Sequence, residues 1–255
     1  MSARPARSGG HDRQTAIGLA LAAAVVGAWL AVHVLAVYRL RLVGPGVVLV
    51  PFVVVLQCWL SVGLFIVAHD AMHGSLAPRR TGLNRAVGRL ALLLYGGIWY
   101  DDLVARHFAH HRLPGTAEDP DFSGDGSVGL WRWYGRFFRQ YLSWGQVLRM
   151  GILADVEIWL LHAPPLNLVL FWAVPALLSS LQLFYFGTYL PHRHEAEAFA
   201  DRHRTRSNAY PYLVSLATCF HFGYHHEHHD DPSVPWWRLP AVRREAVRAH
   251  GWRRA

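Results

Sequence analysis

The 255-residue chain contains no lysine; all 25 of its basic residues are arginine. Charged residues of every kind make up only 16%, well below the roughly 25% of an ordinary soluble domain. Cysteine is almost missing, with Cys58 and Cys219 each set inside an apolar stretch. Two isolated thiols exclude a disulfide framework and a Cys-x-x-Cys metal site, and read as small buried hydrophobes. No Gly-x-Gly-x-x-Gly opens a helix for flavin or nicotinamide, no Walker-type loop cradles phosphate, and no His-Glu-x-x-His marks a metalloprotease. Residues 1–13 are polar and basic, without the apolar core and cleavage site of a secretory signal.

What fills the chain is apolar residues, 53% of the total, and 17 histidines. Low charge with high hydrophobicity points to a membrane protein. The formal charge of +8 then reads as attraction to anionic headgroups; no basic-aromatic module favours nucleic acid. Residues 15–38 and 47–68 are long enough, at about 1.5 Å per residue, to cross a bilayer. Residues 166–190 make another clear span. Residues 147–162 make a weaker one, in which Asp155 and Glu157 should face the bundle interior or lie near its end. The stretch 86–100, interrupted by Arg89 and Gly96-Gly97, is short for a crossing and reads as interfacial or re-entrant. A loop is expected over 77–85, and a surface-bound basic tail over 241–255. The expected fold is therefore all-α and integral to the membrane: one domain of four spans with a helical cap.

The histidines are not scattered. His69 and His73 follow the second span, four residues apart and on one helix face; His107, His110 and His111 form a second cluster. His192 closes the last long span, and His221, His225, His226, His228 and His229 crowd into a third cluster. On a continuous helix His221, His225, His228 and His229 share a face and His226 lies off it. Four spans put all three clusters on one side of the membrane, together with every arginine except Arg39 and Arg41. The positive-inside tendency makes that side the cytosol. His33, alone inside the first span, is read as structural, and His11, His162 and His250 as bystanders.

The candidate metal ligands are thus His69, His73, His107, His110, His111, His192, His225, His228 and His229. Nine are too many for one four- to six-coordinate ion and suit two. Imidazole serves iron, copper, nickel or zinc. Two redox metals at a bilayer surface suggest oxygen activation on a lipid-soluble substrate, with electrons from a separate protein. Asp70, Asp119, Asp121, Glu227, Asp230 and Asp231 lie beside the clusters as candidates for orienting imidazoles by hydrogen bond, with loop capping as the alternative. His221 is open between an extra ligand, a hydrogen-bonding partner and a wall of the site.

His-Asp-Ala-Met-His, His-Phe-Ala-His-His and His-His-Glu-His-His resemble the three histidine boxes of the membrane fatty-acid desaturase and hydroxylase superfamily. The longer phrases HDAMHGSLAP, HHRLPGTAEDPDF, GTYLPHR and HFGYHHEHHDDPSVPWWRLP are similar to bacterial β-carotene ketolases, from about residue 15 to 240. That resemblance implies a non-haem di-iron site facing the cytoplasm from the bacterial inner membrane, held by the nine histidines. It also implies a carotenoid substrate drawn from the bilayer, O2 as co-substrate and a ferredoxin-like electron donor. The implied reaction oxidises carbon 4 of a β-ionone ring to a ketone in two rounds, through the alcohol and a geminal diol, on β-carotene or its 3-hydroxylated form. Ring 3-hydroxylation and fatty-acyl desaturation or hydroxylation are the nearest alternatives, and a membrane metal carrier is the alternative from another class.

Overall fold

The structure is a computed structural model, and it describes residues 8–122, 129–194, 199 and 201–250. Every regular element among them is helical. Three helices are long and apolar enough to cross a membrane: α1 (Ser8–Tyr38), α2 (Gly46–His73) and, after two shorter pairs, the long helix 165–192. Helix α2 is the centre, packing against α1, the long helix and the short α3 (Thr81–Gly96). Small residues let it do so. A Cβ at Gly63 would stand 2.7 Å from the ring of Phe220, so that aromatic seats directly on the α2 backbone.

Helix α2 stops at Gly74, whose φ of 71° supplies the left-handed cap that a Cβ disfavours. The chain then turns within seven residues into α3, which begins at Thr81, inside the expected loop, and ends at the left-handed Gly97. The stretch 86–100 is therefore not one element: the Gly96-Gly97 pair splits it. Helix α4 (Tyr100–Arg112) carries the second histidine cluster back towards the end of α2. Helix α5 (Leu130–Tyr141) follows. Helix α6 starts at Ser143, whose hydroxyl accepts from the Gln146 N–H at 3.2 Å, and continues through π-helical Val156–Leu160. Running 144–160, it is shorter than the long helices and falls below a full crossing by length alone.

Helix α7 (Pro165–His192) starts with proline in its first turn, where no N–H is missed, and contains two π-helical stretches. Helix α8 (Tyr212–Cys219) ends on Phe220 and His221, both left-handed at φ 48° and 63°. The break separates His221 from α9 (His225–Asp230), so the third cluster is not one continuous helical face. Helix α10 (Leu239–His250) occupies the start of the expected basic tail; residues 251–255 lie outside the described residues. Its Arg243 is buried against Glu227 rather than solvated.

Several polar groups inside the bundle are paired across helices. The Asn167 amide donates to the carbonyls of Ala36, Val37 and Leu40 at 3.2, 2.9 and 3.0 Å, closing the end of α1. His33 Nε2 meets Glu157 at 2.9 Å, and the Tyr38 hydroxyl donates to the same carboxylate at 3.0 Å. Asp155 is exposed. Removing a buried donor from three carbonyls should cost about 1–3 kcal/mol. Asn167→Ala is thus expected to lower the thermal unfolding midpoint of the detergent-solubilised protein while leaving its metal content unchanged, as read by fluorescence melting and metal analysis.

Candidate metal centre

The ends of α2 and α7 present His69, His73 and His192, while α4 and α9 lie across them with the remaining boxes. Two groups result. Imidazole nitrogens of His69, His73, His107, His111 and His228 fall within 4.8 Å of one another, and so do those of His110, His192, His225 and His229. Helix α4 feeds both: His107 and His111, one turn apart, face the first group, and His110 faces the second. Helix α9 divides the same way, with His228 in the first group and His225 and His229 in the second. The two groups touch where the rings of His111 and His229 stack at 4.2 Å.

The nitrogens point at each other with nothing between. Nε2 to Nε2 is 2.6 Å for His73 and His107, 3.1 Å for His111 and His228, 3.0 Å for His192 and His225, and 3.2 Å for His110 and His229. Two imidazoles on one ion, each about 2.0–2.1 Å from it, stand about 3 Å apart at a right angle. Both nitrogens of His69, and Nδ1 of His225 and His229, are buried with no hydrogen-bond partner. A nitrogen of His69 is thus free to ligate, whereas in His225 and His229 it is Nε2 that faces the other rings. The residues present fit two imidazole-bound ions.

The electrostatics favour neutral rings. Burial, then the like charge of His69 and His73, pushes His107 well below an ordinary histidine; burial, then neighbouring histidines, does the same to His225, His228 and His229. His111 is pushed down to about 2, by burial and then by His73 and His110. His110 goes the other way. Burial opposes its protonation, but the bond from Nδ1 to Asp119 at 2.9 Å and the charges of Asp121 and Asp119 outweigh it and raise its pKa. Burial also opposes ionisation of Asp119, yet His110 and the N–H groups of Gly115 and Asp121, at 2.7 and 2.8 Å, hold it below the usual carboxylate range.

The other acidic candidates have different work. Asp70 accepts from the Trp236 N–H at 3.1 Å, with its other oxygen 3.7 Å from His69 Nδ1, so it ties the α10 approach to α2. Glu227 touches no imidazole; it takes Arg243 at 2.7 Å and the Ser207 hydroxyl, clamping α9 to α10. Asp230 is exposed, and Asp231 caps the turn at Ser233. Asp121 accepts from the Tyr141 hydroxyl, and its far oxygen lies 3.9 Å from His110 Nδ1. His221 belongs to neither group. It is buried against Tyr212 and Trp236, with both nitrogens unpartnered, and burial pushes its pKa down to about 4. His226 pairs with Asp201, at 2.9 Å.

Three contributors carried no sequence signal. The backbone carbonyl of Arg204 accepts from His192 Nδ1 at 2.9 Å, and its guanidinium donates to the Gly115 carbonyl at 3.1 Å, so this loop fixes the ring through its backbone. Phe222 packs edge-on against His69 and His225, at 4.5 and 4.7 Å, sealing the two groups on one side. Tyr141 ends the aromatic helix α5, which holds no histidine.

An apolar cavity of about 350 Å³ runs from these rings to the outside of the bundle. Its inner end is walled by His69, His107, His110 and His225; its outer end reaches Met150 of α6 and Leu177 of α7. Leu177 and nearby Leu142 are 53% and 44% exposed, so the cavity reaches the apolar outer face of the helices.

Residues 45–159 and 146–254 match the model of the family described as fatty acid desaturase. The chain belongs to the fatty acid desaturase family. Within it, the chain is 47% identical over 230 residues to a β-carotene ketolase of Paracoccus sp. strain N81106, covering 90% of this chain and 93% of that relative. A β-carotene ketolase of Paracoccus sp. strain PC1 is 46% identical over 244 residues, 95% of this chain and 99% of its own. A β-carotene ketolase of Haematococcus lacustris is 34% identical over 272 residues, 95% of this chain and 84% of its own. In this desaturase-family chain the three histidine clusters, the cavity and two of the three long helices, α2 and α7, lie within the residues that the family model matches.

Two measurements follow. Losing an acceptor that orients a ligating imidazole typically costs 10–100-fold in metal affinity, so Asp119→Asn should weaken metal retention by about that much in chelator competition. Without metal, the buried rings refuse protons that the unfolded chain takes up below about pH 6.5. The apoprotein should therefore be most stable above that pH and lose stability steadily as pH falls towards the depressed folded-state values, as read by unfolding midpoints at pH 7.5, 6 and 5.

Proposed function

We propose that this chain is a β-carotene 4-ketolase, a di-iron membrane oxygenase that converts the ring methylene at carbon 4 to a ketone. The observation that carries the reading is the apolar cavity joining the outer face of the bundle to the inward edges of both histidine groups. A carotenoid dissolved in the bilayer can enter it end-on. A soluble substrate would have to shed its water first.

His69, His73, His107, His111 and His228 would hold one iron, and His110, His192, His225 and His229 the other. Bound there, the pair supplies activation of O2 and removal of the allylic hydrogen, with electrons from a ferredoxin-like donor on the arginine-rich side. The chain's own residues do the rest. Asp119 holds the proton on His110 Nδ1 and so leaves Nε2 free to bind metal. The Arg204 carbonyl does the same for His192. Phe65, Leu103 and Phe222 line the cavity with apolar surface, excluding water and limiting the tilt of a flat ring.

In our reading α6 is the fourth crossing of a single-domain bundle, which places the metal groups on the cytosolic face of the bacterial inner membrane. Its ends support this. Gln146 donates to the Gly96 carbonyl at 2.8 Å near the metal groups, whereas Glu157 reaches His33 and Tyr38 at the far end of α1. The ketolase names of the full-length relatives support the ring substrate over an acyl chain.

Expression in cells that accumulate β-carotene is expected to yield 4-keto products. Unchanged carotene beside new unsaturated acyl chains would instead identify an acyl desaturase, and exchangeable zinc without oxygen consumption a metal carrier. His228→Ala should abolish ketone formation and lower iron content, while His11→Ala leaves both near the parent level. Full activity in His228→Ala would overturn the ligand assignment.

A further inference from the structure

We infer that the Asp121–Tyr141 pair recognises the hydroxyl group of 3-hydroxylated β-ionone rings and sets this chain's preference for them over unhydroxylated rings. The inference rests on the reading of the cavity as the site of ring oxidation. Carbon 3 adjoins carbon 4, so any group that reads its hydroxyl must stand beside the metal-holding rings and not at the cavity mouth. Asp121 does: one oxygen lies 3.9 Å from His110 Nδ1, and both Asp121 and Tyr141 line the same cavity as His110.

Two other polar side chains of the cavity, Gln146 and Ser180, are paired within the protein. The Gln146 amide donates to the Gly96 carbonyl at 2.8 Å. The Ser180 hydroxyl is 2.7 Å from that of Tyr134 and donates to the Leu177 carbonyl at 2.8 Å. Asp121 is half satisfied. Tyr141 donates to its Oδ1, and the His110 Nδ1–H already donates to Asp119. Among the described residues nothing donates to Oδ2, and the side chain keeps 14% of its surface exposed. A carboxylate oxygen left in an apolar cavity lacks a donor, and the equatorial hydroxyl of the substrate ring is a donor at the right end of that cavity. Tyr141 fixes the carboxylate, with the Arg106 guanidinium 5.3 Å from its ring centre on the outer side. A ring without the hydroxyl leaves Oδ2 unpaired, which is the basis of discrimination.

The test compares kcat/KM for a 3-hydroxylated carotenoid and for β-carotene in the iron-loaded, detergent-solubilised protein. The ratio should fall tenfold or more in Asp121→Leu and recover in part in Asp121→Asn, whose amide can still meet a hydroxyl. Equal losses on both rings would mean that Asp121 only supports His110, and the inference would be overturned; an unchanged ratio overturns it as well. If Asp121→Leu does not accumulate, Tyr141→Phe, which loses the group that orients the carboxylate, carries the same comparison with an expected fall of threefold or more. Binding of the two carotenoids to metal-free protein, followed by the shift of the polyene absorbance, gives a second readout. Should the parent protein oxidise neither ring, the functional reading fails, and this binding comparison decides the inference by itself: preferential, Asp121-dependent binding of the hydroxylated carotenoid upholds it, and equal binding rejects it.

Discussion

Nine histidine rings brought together in two groups are the constraint on which the rest of the molecule depends. Most of the rings are buried, and several buried nitrogens find no partner in the protein, at about 1–3 kcal/mol apiece. Ions that bind the folded chain and not the unfolded one return that cost. The helices can be understood as the frame that holds the rings at ligand spacing. Helices α2 and α7 bring three of them to the ends of long apolar rods, where the bundle packing already fixes direction. Helices α4 and α9 are too short to stand alone and are held by the clamps on either side: Asp119 on His110, and Glu227 between Ser207 and Arg243.

The same architecture joins an apolar phase to a polar reaction. The cavity is walled on one side by the imidazoles and on the other by leucine, methionine and phenylalanine side chains that continue to the outer face. An apolar substrate dissolved in a bilayer would reach the mouth along this face. Polar side chains along the way are mostly paired within the protein, so a long polyene meets few unsatisfied groups until it reaches Asp121. Helix α6, which buries none of its residues, is held chiefly at its ends, by Gln146 and Arg149 on the Gly96-Gly97 turn and by Glu157 on His33. Its Glu157 carboxylate is met by an imidazole and a phenol.

Much of this was legible in the residues. Apolar runs at 15–38, 47–68 and 166–190 correspond to the three long helices, because length and hydropathy alone decide whether a segment can lie in lipid. The nine clustered histidines come together in two groups, since four-residue spacing and a shared membrane side leave them few other places. The weaker span at 147–162 and the stretch at 86–100 were harder to read. One is shortened and ends in a π-helical turn, and the other is divided at Gly96-Gly97, whose left-handed backbone follows from local packing rather than hydropathy.

By itself the sequence carried the material of the chemistry: histidines in number for two ions and apolar segments long enough for a bilayer. Which histidine serves which group was decided only by the tertiary structure. Helix α4 turns His107 and His111 to one group and His110 to the other, because neighbouring positions on a helix diverge by about 100°. His221, in step with the third cluster on paper, is swung away by two left-handed residues and packed between Tyr212 and Trp236. Periodicity assumes an unbroken helix, and the packing of Phe220 onto Gly63 breaks it.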